Sequence, residues 1–411
     1  MSGGADSLAL MVLVAAWCKK RRLPQPHALT VDHGLRAGSA LEASRVAAWA
    51  RTRAIAHETL IWTGHKPSQN IQARAREARY RLLGDWMRAH SIGVLLTGHT
   101  LDDQAETFML RLARGSGLDG LSGMANVAPF PLSGFDDLKI ARPLLGFAHD
   151  RLTATLTQLG QPWIEDPSNE NDRFARVQVR RALSAFAEIG LTNTRIASAA
   201  AHLRRAREAI DEGVATLIAN GVELSPWGYG LAKSERFADA PREVALRALS
   251  RLIEAVGGGD FPPRFEQIEQ ALDWLTAPNA KLKGCTLGGC RLARRDATLV
   301  LIAREESALA KQNPVLRLKP GETGIWDGRF EAELAYGAAQ GFCEVRRLGP
   351  SGLKRLGPKA PLPPVEPHRI AAAAPALWQG ERLIAAPLAG LNPPEPAFSV
   401  RFTALTRLTV R

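Results

Sequence analysis

Short apolar runs ending in polar residues alternate with helical stretches through the first part of the chain. This alternation limits the fold more than any other feature of the sequence. HALTVD (27–32) and GVLLTGH (93–99) read as buried parallel strands, HETLIW (57–62) as a third, and LKIARPLL (138–145) as holding a last one. Helices are expected at Leu8 to Arg21, Ser39 to Arg53, Asn70 to His90 and Leu101 to Arg114. Such a β-α series predicts an α/β fold, a doubly wound parallel sheet with ligands at the carboxyl ends of its strands. Asp32, His33, Gly98 and His99 then face one mouth. From Arg176 to Glu212 the pattern turns helical and rich in Ala and Arg, and helices continue at Arg242 to Val256 and Pro263 to Leu275. CTLGGCRLARRDATLVLIARE (285–305) reads as a small β-hairpin, and a linker is expected near Lys311 to Pro320. The expected organisation is an α/β domain over 1–190, a helical middle domain over 191–310 and a small α+β domain over 315–411.

Composition narrows the partners. The chain carries 53 Lys and Arg against 41 Asp and Glu, a formal charge of +12. Residues 337–411 alone hold ten basic and four acidic side chains. A surplus of this kind favours a polyanion, most commonly nucleic acid. The apolar run from Leu8 to Trp17 is too short to span a bilayer and ends at Lys19, Lys20, Arg21 and Arg22. It lacks the features of a signal peptide, so the expectation is a cytoplasmic protein with no membrane partner. Cys18, Cys285, Cys290 and Cys343 contain no C-x-x-C pair, which argues against structural zinc or an iron–sulfur cluster.

Two motifs carry chemistry. SGGADS (Ser2, Gly3, Gly4, Ala5, Asp6, Ser7) runs directly into an apolar helix. Gly3 and Gly4 let the backbone approach phosphates, Ser2 and Ser7 offer hydroxyl donors, and free N–H groups at a helix start favour anions. Asp6 suits Mg²⁺ or a cationic substrate. The loop fits neither the Walker pattern nor the dinucleotide pattern. In LDDQAE, Asp103 and Glu106 are three apart and share a helix face, an arrangement suited to an ammonium that must be bound and then deprotonated. His99, at the strand–helix junction, points to the same mouth. Arg74, Arg76 and Arg79 recur along one helix, and Arg173, Arg176 and Arg180 form a second basic stripe. Each of these also has a plainer reading: a capped surface turn, a helix start favoured by its dipole, a solvated face.

SGGADS resembles the S-G-G-x-D-S pyrophosphate loop of the N-type ATP pyrophosphatases, the PP-loop superfamily. With VDHGLR (31–36), NIQARAREARYRLL (70–83), LLTGHTLDDQAETFMLRLARGSGLDGLSGM (95–124), RPLL (142–145) and WIEDPSNENDRFARVQVRR (163–181), the order of motifs is similar to that of tRNA(Ile)-lysidine synthetases. The resemblance is dense to Arg181 and looser through KGCTLGGCRLARR (283–295). It implies ATP and Mg²⁺ as cofactors, with free L-lysine and a tRNA(Ile) bearing a CAU anticodon as partners. The implied reaction adenylates C2 of the wobble cytidine, releases pyrophosphate, and lets the lysine ε-amine displace AMP. The product reads AUA instead of AUG. It further implies catalytic roles for Asp6, Asp103 and Glu106, with the latter two recognising lysine. Nucleotide contacts would come from Ser2 to Ser7, Asp32, His33 and His99, metal from Asp6, and RNA contacts from Arg74, Arg76, Arg79, Arg173, Arg176 and Arg180. Val177 stands where the family usually has Asn after an Arg, which weakens single contacts but not the stripe. The middle and last domains would bind tRNA, and a homodimer is left open. Two other readings stand: another PP-loop adenylating enzyme such as a tRNA thiolase, or a catalytically impaired RNA-binding form.

One element is out of place. A phosphate loop of this kind follows a buried central strand, and here only Met1 precedes it. The expected sheet has a gap between HALTVD and GVLLTGH, and losing a central strand costs several kcal/mol, comparable with the stability of a whole domain. The expectation is therefore a start about 20 to 30 residues upstream, allowing for one strand and its approach.

Overall fold

A computed structural model describes residues 1–34, 38–63, 71–132, 134–165, 175–259, 262–277, 284–336, 342–393 and 397–403. The chain divides into two compact units, Met1–Arg207 and Glu208–Arg411.

In the first unit, helix α1 (Ala5–Arg21) carries Asp6 in its first turn and Lys19, Lys20 and Arg21 in its last, both favourable to its dipole. Leu8 to Val12 are all buried, so α1 is a core helix over that stretch. Strand β1 (His27–Asp32) pairs in parallel with β2 (Ala56–Ile61) across helix α2 (Ser39–Thr52). Helix α3 (Ile71–Ala89) leads to β3 (Val94–Leu96), followed by α4 (Leu101–Leu112), the single turn α5 (Leu118–Leu121) and β4 (Val127–Pro129). Strand β5 (Lys139–Ala141) pairs in parallel with β3 and antiparallel with β4. Helices α6 (His149–Gln158), α7 (Ala175–Glu188) and α8 (Asn193–Gly221) complete the series.

Neighbouring residues of β1 feed opposite cores, as strand alternation requires. Ala28 joins Leu8, Met11, Val12, Leu144, Leu152 and Leu156 on the side of α1 and α6. Leu29 joins Leu83, Trp86, Met87, Phe130 and Ile140 on the side of α3. Helices thus cover both faces of the strands, the doubly wound α/β arrangement expected from the sequence.

The strands form two separate sheets, β1-β2 and β3-β5-β4. Leu29 and Val31 of β1, Leu95 and Leu96 of β3, and Leu10 and Met11 of α1 all line one cavity of about 1660 Å³. This cavity lies between the two sheets. At its edge the Met1 ammonium donates to the Leu29 carbonyl, in the manner of a ladder bond. Burial, reinforced by Arg79, lowers the pKa of that amine to about 5.

The second unit begins within α8, at Glu208, and holds an antiparallel sheet in the order Val222–Leu224, Gly230–Lys233, Leu299–Arg304, Cys290–Arg294, Cys285–Leu287. The segment read as one hairpin supplies three of these strands. Helices Arg242–Gly257 and Phe265–Thr276 bury Leu249, Leu252, Ile253, Leu272 and Leu275 in the core they share with this sheet. Two small sheets follow, built around Trp326, Phe330, Val345, Leu377 and Phe398. The expected linker contains a strand of its own, Leu316–Leu318. Asp327 accepts from Arg304 at 3.1 Å and from Arg329 at 2.7 Å, offsetting the burial of two guanidinium groups.

The slot makes a prediction. Appending six Val- and Ile-rich residues before Met1 should raise the melting temperature by several degrees, since each kcal/mol gained is worth about 2–4 °C in a domain of this size. A Gly-Ser extension of equal length should not. Equal melting curves for the two would show that the slot does not accept a strand.

Candidate active site

The SGGADS loop is shaped by close contact. Gly3 has φ +84, and its carbonyl accepts from the Ile164 N–H at 2.9 Å. A Cβ at Gly3 would lie 2.7 Å from Ile164 Cδ1. Gly4 is the N-cap of α1 and offers no side-chain cap, which leaves the first-turn N–H groups available to an anion. The Ser7 hydroxyl donates to the Gly4 carbonyl at 2.9 Å, and the Ser2 hydroxyl lies 3.2 Å from it. The loop is thus folded on its own two serines.

The second side of the mouth is the turn from β3 to α4. At Gly98 a Cβ would fall 2.9 Å from the Asp6 carbonyl oxygen, so this turn rests directly on the first turn of α1. Thr100 then caps α4 through a reciprocal box with Asp103: the Asp103 carboxylate accepts from the Thr100 N–H at 2.8 Å. Asp103 is therefore half committed to holding the helix start, a role the i,i+3 spacing did not reveal.

Glu106, one turn on, is 2% exposed. One of its oxygens pairs with Arg180 of α7; the other, Oε2, is buried without a hydrogen-bond partner. Burial pushes this carboxyl above its usual range, against the pull of Arg180. Arg180, read as part of a basic stripe, is thus bound into the carboxylate site. His99 contacts Thr97 Oγ1 at 2.9 Å, and burial lowers its pKa despite Asp103, keeping the ring neutral.

The remaining expected residues divide by position. Asp32 accepts from the Gly34 N–H at 2.8 Å, which shapes the end of β1. His33 meets Arg79 at 3.4 Å and the edge of Trp62. Arg76, stacked over Tyr80, lines the cavity together with Arg79, Arg176 and Arg180. Arg74 instead pairs with Glu77 on the exposed face of α3. Arg173 lies outside the described residues. Trp163 packs against the core beneath α1.

Residues not anticipated from the sequence complete the rim. His149, the first residue of α6, approaches Asp6 Oδ1 through Nδ1 at 2.8 Å. Its backbone N–H donates to Asp102 Oδ2 at 2.7 Å, and Asn193 donates to Asp102 Oδ1 at 2.7 Å. No sequence pattern links positions 143 residues apart. Gly98, placed at the mouth from the sequence, is there because the turn approaches α1 closely.

Among the described residues no group of three or more His, Cys, Asp or Glu is placed to hold a metal. Asp6 is a lone carboxylate beside a phosphate loop, which fits Mg²⁺, an ion held mostly by substrate phosphates and one or two carboxylates.

Residues 1–186 match the PP-loop domain family. The chain is 39% identical over 391 residues to the tRNA(Ile)-lysidine synthase of Ruegeria pomeroyi, covering 95% of this chain and 88% of that protein. The chain belongs to the tRNA(Ile)-lysidine synthase family. The synthases of Methylobacterium nodulans (41% identity; 73% of this chain, 88% of that protein) and Wolbachia pipientis wMel (36%; 81% and 76%) are further relatives.

For a PP-loop synthase, the contact at Gly98 carries a direct consequence. Gly98→Ala should weaken binding of an ATP analogue by about tenfold and cost about 1–3 kcal/mol of stability, the usual penalty of overpacking. Gly93→Ala, with nothing within 4 Å of the added carbon, is the matched control. Titration calorimetry and thermal melts check both, and equal behaviour of the two variants would contradict the close-packing reading.

Proposed function

We propose that this protein converts the wobble cytidine of a CAU-anticodon tRNA(Ile) to lysidine, with ATP and free L-lysine as co-substrates. The observation that carries this reading is Glu106, a buried carboxylate whose Oε2 has no hydrogen-bond partner and which lines the same cavity as the SGGADS loop. A buried carboxylate oxygen without a donor calls for a cation, and the ε-ammonium of lysine supplies one.

Ser2, Gly3, Gly4, Ala5 and Ser7 hold the triphosphate through hydroxyls and the amides of the first turn of α1. Asp32, His33 and His99 border the nucleoside. Asp6 is the residue that would hold Mg²⁺, which would supply charge neutralisation at the phosphates. The cytidine O2 attacks the α-phosphorus, and the bond to pyrophosphate breaks. Asp103 and Glu106 seat the lysine ammonium, which must lose a proton before it attacks. The freed amine then attacks C2, and the C2–O2 bond breaks with AMP leaving. Arg74, Arg76, Arg79, Arg173, Arg176 and Arg180 contact RNA, with Arg180 also anchoring Glu106. The cytoplasm, where ATP, lysine and tRNA meet, is the site of the reaction.

Labelled lysine should become acid-precipitable with tRNA(Ile) in an ATP-dependent manner, accompanied by pyrophosphate. Glu106→Gln should raise the KM for lysine by at least about tenfold, since a charge-assisted contact is lost, while tRNA affinity holds within about twofold. Incorporation without ATP, or an unchanged lysine KM in the variant, would contradict the assignment.

A further inference from the structure

We propose that His149 is a positioning residue for the adenylation step, fixing the direction of the Asp6 carboxylate from across the mouth. The proposal rests on reading the SGGADS loop as the ATP phosphate site. Asp6 stands in the first turn of α1, where a free carboxylate would turn back toward the helix N–H groups. Instead its Oδ1 meets His149 Nδ1 at 2.8 Å. An ionised carboxylate only accepts hydrogen bonds, so Nδ1 carries the proton.

The histidine is itself held. Its backbone N–H donates to Asp102 Oδ2, and Asp102 Oδ1 accepts from the Asn193 amide, each at 2.7 Å. Asn193, Asp102, His149 and Asp6 belong to α8, α4, α6 and α1. The chain of contacts therefore references one loop carboxylate to three other helices. Asp6 and His149 both line the cavity. The contact at Oδ1 fixes the plane of the carboxylate and leaves acceptor positions on it for a ligand.

Orientation of this kind affects rate more than ground-state affinity for remote substrates. A group misplaced by about 1 Å can slow a reaction by about 100-fold. His149 touches no reacting atom in this arrangement; it acts through Asp6.

The test compares the full-length protein with His149→Ala, His149→Asn and Asp6→Asn. Single-turnover pyrophosphate release from ATP and tRNA(Ile) is measured, together with equilibrium binding of α,β-methylene-ATP, the lysine KM and thermal melts. His149→Ala should slow pyrophosphate release by at least about tenfold and weaken analogue binding a few-fold, with lysine KM and melting temperature held. His149→Asn, whose side-chain amide can place a donor near the position of Nδ1, should recover most of the rate. Full-rate release by His149→Ala, or a loss that Asn does not restore, overturns the proposal. If Asp6→Asn is slow while His149→Ala is not, the positioning role alone is wrong. If Asp6→Asn also releases pyrophosphate at full rate, the reading of the loop as the ATP site falls with it.

Discussion

At Gly98 the turn leaving β3 lies so close to the first turn of α1 that a side-chain carbon would stand 2.9 Å from the Asp6 carbonyl. This approach brings a phosphate loop and a carboxylate-bearing helix to one mouth. Each partner is stiffened separately. Gly3 is pinned by the Ile164 N–H, and the start of α4 is closed by the Thr100–Asp103 box. The site is therefore a contact between two preorganised turns on the carboxyl side of β1 and β3, where an α/β fold gathers its ligands.

Charge inside the mouth is arranged around that contact. Glu106 is buried, and only one of its oxygens is satisfied, by Arg180. An unpaired buried carboxylate oxygen is costly. Arg76, Arg79, Arg176 and Arg180 around the same cavity suit phosphates arriving with nucleotide or RNA. Carboxylates and guanidinium groups thus line a single space.

Much of this was legible in the chain, because it rests on local pattern. The alternation of HALTVD, HETLIW and GVLLTGH with helical stretches predicted parallel strands with helices on both faces, and Ala28 and Leu29 enter opposite cores accordingly. The gap between β1 and β3 was equally readable, because a phosphate loop of this type ordinarily leaves a strand. What sequence could not supply was partnership at long range. The Glu106–Arg180 pair and the contact of His149 with Asp6 depend on how helices meet, which spacing along one helix does not encode; the Thr100–Asp103 box, by contrast, is a local pattern that the sequence does carry. Arg180 shows the difference: periodicity placed it on a basic stripe with Arg176, whereas packing turned its Nε toward a buried acid. The segment 285–305, read as one hairpin, holds three locally paired strands, and its further pairing with Gly230–Lys233 joins distant parts of the chain.

The most direct test of the central claim is a crystal structure of the protein with α,β-methylene-ATP and L-lysine bound together. The account places the triphosphate against the amides of Gly4 to Ser7 and the lysine ammonium within hydrogen-bonding distance of Glu106 Oε2. Lysine bound away from Glu106, or nucleotide bound away from the glycine loop, would contradict it.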